Sequence, residues 1–81
     1  MPSDKINILE CLVKAQHFQR VAEHCEIAIR KDVNFEVWVD LMTPNKQSYR
    51  FIFWLGNTFQ ENAEILQDLE ELFYTYEKEE E

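Results

Sequence analysis

"VNFEVWVDLMTPNKQSYRFIFWLG", residues 33–56, decides the fold. Its first ten residues alternate. Val33, Phe35, Val37, Val39 and Leu41 fall on one side, and Asn34, Glu36, Trp38, Asp40 and Met42 on the other. A period of two with many β-branched residues predicts a strand over 33–42. Residues 43–47 carry Pro44 and Asn45 at turn positions. A second strand follows over 48–56, where Gly56 ends it. Setting Leu41 against Tyr49 places Val39 opposite Phe51, Val37 opposite Phe53 and Phe35 opposite Leu55, so one hairpin face is wholly apolar. The other face then pairs Asp40 with Arg50, an opposite-charge match. A slip by one residue would carry Ser48 and Arg50 onto the apolar face and lose that match. The chosen register asks for a left-handed Lys46 in the loop.

On the N-terminal side, Ile8, Cys11, Ala15, Phe18, Ala22, Cys25 and Ile29 step by three and four, with neither Pro nor Gly between Asp4 and Lys31. This spacing predicts one amphipathic helix over 4–31, capped by Ser3 or Asp4. On the C-terminal side, Thr58 and Glu61 have the spacing of a capping box. A second helix is expected over 59–77, with Phe59, Ala63, Leu66, Leu69, Phe73 and Tyr76 as its core stripe and an acidic tail over 78–81. The expected fold is a single α+β domain, 1–81, in the order α-β-β-α. Two antiparallel helices pack on one face of the hairpin, and dimerisation is one way to extend the sheet. An alternative breaks the first helix near "KAQH" and lays a piece of it over the second sheet face.

Composition bounds the function. The chain has 81 residues, an apolar fraction of 46%, one Gly and a net charge of −8. A chain of this size buries only about 60–65% of its unfolded surface. No apolar run reaches the ~18 residues of a membrane span, and the first ten residues lack a signal-peptide pattern, so a cytoplasmic protein is expected. Cys11 and Cys25, on one expected helix, would stand roughly 21 Å apart, too far for a disulfide. They read as buried free thiols in a reducing compartment.

No catalytic constellation emerges. His17 and His24 lie two turns apart on the expected helix and form no metal set. Cys25 has no identifiable base. There is no phosphate-binding loop, dinucleotide fingerprint or calcium loop. The expectation is a non-enzymatic protein without metal or cofactor.

Two surfaces remain. In the α-β-β-α arrangement nothing covers Trp38, Met42, Ile52 and Trp54, and an exposed aromatic patch of this kind marks a partner or homodimer interface. Up to Arg50 acids and bases balance at seven each. From Phe51 onward nine acids face one base, Lys78, so the whole net charge falls on the second helix and tail. Glu61, Glu64, Asp68 and Glu71 step 3, 4, 3 along one stripe, a row of carboxylates that resembles a strand of phosphates. Direct nucleic-acid binding is disfavoured, since such a field repels phosphate.

The leading expectation is therefore a protein-binding module, an inhibitor or regulator of a basic nucleic-acid-binding protein, acting through the acidic helix. Small acidic proteins of phages and other mobile elements offer an analogy in size and charge alone. The alternative is a homodimeric adaptor or chaperone-like subunit that binds a protein through its aromatic sheet face, with the acids serving solubility.

Overall fold

The computed structural model describes residues 4–32 and 34–78. Its elements are α1 (Asp4–Val21), β1 (Glu26–Lys31), β2 (Glu36–Met42), β3 (Ser48–Trp54) and α2 (Phe59–Glu77). The class is α+β, but the order is α-β-β-β-α, and the strands form an antiparallel meander β1-β2-β3. Ser3, Val33 and residues 79–81, to which part of the expected cap, strand and tail belonged, lie outside the described residues.

The β2–β3 register sets Leu41 against Tyr49, Val39 against Phe51, Val37 against Phe53 and Asp40 against Arg50. Its loop is closed by the Thr43 N–H on Gln47 O at 2.9 Å and the Lys46 N–H on Thr43 O at 2.9 Å. Lys46 is left-handed, with φ 73°. The buried Thr43 hydroxyl organises the same loop by bonding Asn45 Oδ1 and accepting the Gln47 N–H. Phe35 departs from the expected strand. It sits in the β1–β2 turn with φ 64° and 67% exposure, although its carbonyl still accepts the Leu55 N–H at 3.1 Å.

The single helix expected over 4–31 is corrected to a helix, a turn and a strand. α1 stops at Val21, and residues 26–31 pair with β2, Ile27 against Leu41 and Ile29 against Val39. The break falls beyond "KAQH", and the released segment becomes a sheet edge rather than a cover. The Glu77 carboxylate holds the turn. One oxygen accepts the Glu23 N–H at 3.0 Å, and the other accepts the His24 and Cys25 N–H groups at 3.0 and 2.9 Å. Three main-chain donors that a helix would have satisfied thus find one acceptor.

The third strand also reverses the relation between the helices. Contacts advance in the same sense along both. Cys11 meets Asn62, Lys14 meets Glu70, the Phe18 and Phe73 rings stack at 4.3 Å, and the turn after α1 meets Glu77. The helices are parallel, not antiparallel, because three antiparallel strands intervene instead of two. Val37, Val39, Leu41 and Phe53 from the sheet close one core with Ile8, Cys11, Ala15, Phe18, Leu69 and Phe73 from the helices. Each large side chain so buried contributes about 1.5–3 kcal/mol. Tyr74 adds an edge-on ring against Phe18 at 5.5 Å. Phe59, expected in the core, is exposed, and Asn62 is fully buried in its place.

Burial pushes the Glu77 carboxyl up, but the N–H groups of Glu23, Cys25 and His24 outweigh it and hold the group below its ordinary 4.5. A depressed folded-state value means that the stabilisation is complete above the ordinary value and fades as pH falls through the depressed one. Glu77→Gln should therefore lower stability at neutral pH by about 1–2 kcal/mol. The gap from wild type should narrow toward about pH 3. Urea denaturation of both proteins at the two pH values checks this, and a gap of equal size at both would rule the carboxylate out as its source.

Candidate interaction surfaces

The even-numbered sheet face lies opposite the helices. Trp38 is at its centre, paired with Arg30 on β1 and Ile52 on β3. The guanidinium carbons of Arg30 and Arg50 lie 4.6 and 4.5 Å from its ring centroid. Its indole N–H donates to Glu36 Oε1 at 2.7 Å. Arg50 in turn donates to both Asp40 oxygens, at 2.8 and 3.2 Å. That hydrogen bond from Arg50 holds the Asp40 carboxyl below its ordinary 3.8. Cation–π contacts and a satisfied N–H thus give Trp38 company from its own chain, and it is half-buried.

Ile52 and Trp54 are more open, at 37% and 44% exposure. The Trp54 indole N–H donates to Asn34 O at 3.1 Å, and its ring lies over Gly56, where an added Cβ would come within 2.6 Å of it. Glycine is needed there for close approach. Of the four residues expected to share this surface, Trp38, Ile52 and Trp54 are neighbours. Met42 stands four residues along β2 from Trp38, roughly 13 Å away.

α2 begins with the expected capping box. Thr58 Oγ1 accepts the Glu61 N–H at 3.1 Å, and the Glu61 carboxylate accepts the Thr58 N–H at 2.9 Å. Glu70, Tyr74 and Glu77 mark the side that faces α1 and its following turn. At 100° per residue, Glu61, Glu64 and Asp68 lie on the flank away from α1, where with Asn57 and Ile65 they line a shallow hollow of about 350 Å³. Glu71 comes next on the outermost face and accepts a hydrogen bond from Gln67, as Glu64 does from Gln60. The four acids of the expected stripe are exposed.

Two residues with no expected role prove central. Glu77 holds the turn after α1. Asn62, fully buried, acts on the end of β3: its Oδ1 accepts the Trp54 N–H at 3.3 Å and the Asn57 amide at 3.1 Å, while its Nδ2 donates to Trp54 O at 3.0 Å. A polar residue between Phe59 and Leu69 on the core side of the helix was the signal for it. Burial pushes the Cys11 thiol up to about 11, with Glu10 and Glu70 adding to the effect, which keeps it protonated and unreactive at neutral pH. Among the described residues no group of three or more His, Cys, Asp or Glu side chains could hold a metal ion, and no helix is long and apolar enough to cross a membrane.

No family model matches this chain, and comparison with curated proteins and with solved structures finds no match.

Asn62→Ala would leave the Trp54 main chain without its buried partner. The expected loss is about 2–3 kcal/mol, read from the urea midpoint. The amide of Trp54 should lose hydrogen-exchange protection ahead of the β2–β3 ladder.

Proposed function

We propose that this protein is a non-enzymatic binding module, an inhibitor or regulator that engages a basic surface on a nucleic-acid-binding protein through α2. The observation that carries the reading is the flank of Glu61, Glu64 and Asp68, whose shared hollow is lined by no base. Neighbouring carboxylates on a helix stand about 5–6 Å apart, a spacing that suits a groove built for phosphates. The binding of nucleic acid itself runs against this field. Two buried cysteines outside any disulfide, Cys11 and Cys25, support a reducing, cytoplasmic setting.

The exposure of Ile52 and Trp54 favours a second reading, in which the sheet face joins two copies into an adaptor that holds a protein partner. Against it stands the cover that Arg30 and Arg50 give Trp38.

Affinity capture from the native host separates the two. On the first reading, a captured partner is released as salt rises from about 0.05 to 0.5 M, because exposed charge pairs are screened. It is also lost from a Glu64→Lys, Asp68→Lys double variant and kept by Trp54→Ala. Capture indifferent to salt and to charge reversal, but lost in Trp54→Ala, would replace the first reading with the second. Sedimentation of wild type and Trp54→Ala reads the oligomeric state in parallel.

A further inference from the structure

We propose that the open edge of β3 receives an extended, basic segment of the partner protein as a fourth strand, laid alongside the carboxylates of α2. This rests on the acidic-helix reading above and names how the partner is held.

The direction of the main chain decides which edge is available. The Thr43 N–H on Gln47 O and the Leu55 N–H on Phe35 O both join odd-numbered pairs of the β2–β3 register. In an antiparallel pair, residues that exchange hydrogen bonds alternate with residues that do not. Odd residues of β3 therefore direct their main-chain groups at β2, and Ser48, Arg50, Ile52 and Trp54 direct theirs outward. Asn62 takes both groups of Trp54, which confirms the parity. Among the described residues, no hydrogen bond reaches the outward groups of Arg50 or Ile52.

The opposite edge is guarded. The Asp32 N–H on Glu36 O makes even pairs the bonded ones between β1 and β2, so Ile27, Ile29 and Lys31 face outward. Gln19 Nε2 caps the Ile27 carbonyl at 3.0 Å, and Glu26, Arg30 and Lys31 make half of the strand charged. Charge and side-chain capping are the usual protections of a free edge. β3 carries one charge, Arg50, already tied to Asp40, among Tyr49, Phe51, Ile52, Phe53 and Trp54.

Charge chooses the occupant. Asn62 seats α2 on β3, and the flank of α2 away from α1 carries Glu61, Glu64 and Asp68 on the side of that open edge. A second copy paired antiparallel through the same edge, about a two-fold axis normal to the sheet, would set two such flanks side by side on one face, with a net charge of −8 on each chain. An extended segment with lysine or arginine at alternate positions meets the acids on the helix side. Its intervening β-branched residues lie beside Ile52 on the outer face. Main-chain bonds then supply affinity and alternate side chains supply specificity, the usual division in strand addition.

The probe is a synthetic heptapeptide of alternating lysine and valine, compared with the same peptide N-methylated at alternate residues and with a glutamate-for-lysine version. Amide exchange and NMR titration follow Arg50 and Ile52. Ile52→Pro deletes an outward N–H and no ladder bond, so the sheet should persist in the variant. The lysine peptide is expected to slow exchange at both amides. Ile52→Pro and N-methylation should each weaken it at least about tenfold, and the glutamate peptide should not bind. Binding that responds to Glu64→Lys with Asp68→Lys, yet ignores Ile52→Pro and N-methylation, overturns the edge and leaves the acidic surface intact. Equal binding of the glutamate peptide overturns the basic occupant. No perturbation of Arg50 or Ile52 at millimolar lysine peptide overturns the proposal outright.

Discussion

Three main-chain N–H groups, from Glu23, His24 and Cys25, converge on the carboxylate of Glu77. Much of the architecture depends on that convergence. The chain leaves α1 and must turn back as a strand without glycine or proline to help, so the turn's donors need an acceptor from elsewhere. α2 can supply it only if its C-terminal end lies beside the end of α1. That requires parallel helices, and parallel helices require an odd number of antiparallel strands between them. The clasp and the third strand therefore imply one another. With the turn held, Cys25 is buried and Ile27 and Ile29 are laid against the core. A hairpin alone would have left that flank of β2 bare.

The parts that could be read from sequence were those fixed by near neighbours. The β2–β3 register follows from matching two alternations across a short loop. It brought with it the Asp40–Arg50 pair and the left-handed Lys46. The capping box of α2 lies within four residues. Residues 22–31 were ambiguous, because Ala22, Cys25 and Ile29 satisfy a helical step while Cys25, Ile27 and Ile29 satisfy an alternating one. The tie is broken by Glu77, more than fifty residues away in the chain. Asn62 was hidden for the same reason: its role exists only once Trp54 is in place beside it. The acidic stripe was legible as a stripe. Which side of the molecule it borders was not, because that depends on where α1 lies.

The aromatic load of β3 now has a physical distribution. Phe53 is core, Phe51 packs against it, and the Trp38 indole across the sheet is flanked by two guanidinium groups, one of which, that of Arg50, also binds Asp40. What remains open is Tyr49 on the helix side and, on the outer face, Ile52 and Trp54. The uncovered surface inferred from the strand alternation thus contracts, on the outer face, to one border of it. Asn62 takes the outward main-chain groups of Trp54, and those of Ile52 lack a partner among the described residues. Apolar exposure and unpaired hydrogen-bonding groups coincide there, as they do where a strand can be added.

The charge of α2 then acquires a meaning that depends on placement rather than on total. At physiological salt an exposed charge is felt over about 8 Å, so acids elsewhere on the chain do little at the β3 edge. Glu70 is paired with Lys14, and Glu77 is committed to the turn. Glu61, Glu64 and Asp68 are the acids on the flank beside the edge. On the proposal made above, they sort incoming strands by sign. A second copy brings the same carboxylates with it and is repelled at contact range. A basic segment is drawn to the same place. An edge rich in aromatic residues is a hazard for self-association, and bordering it with acids discourages self-pairing while leaving it open to a partner of the opposite charge.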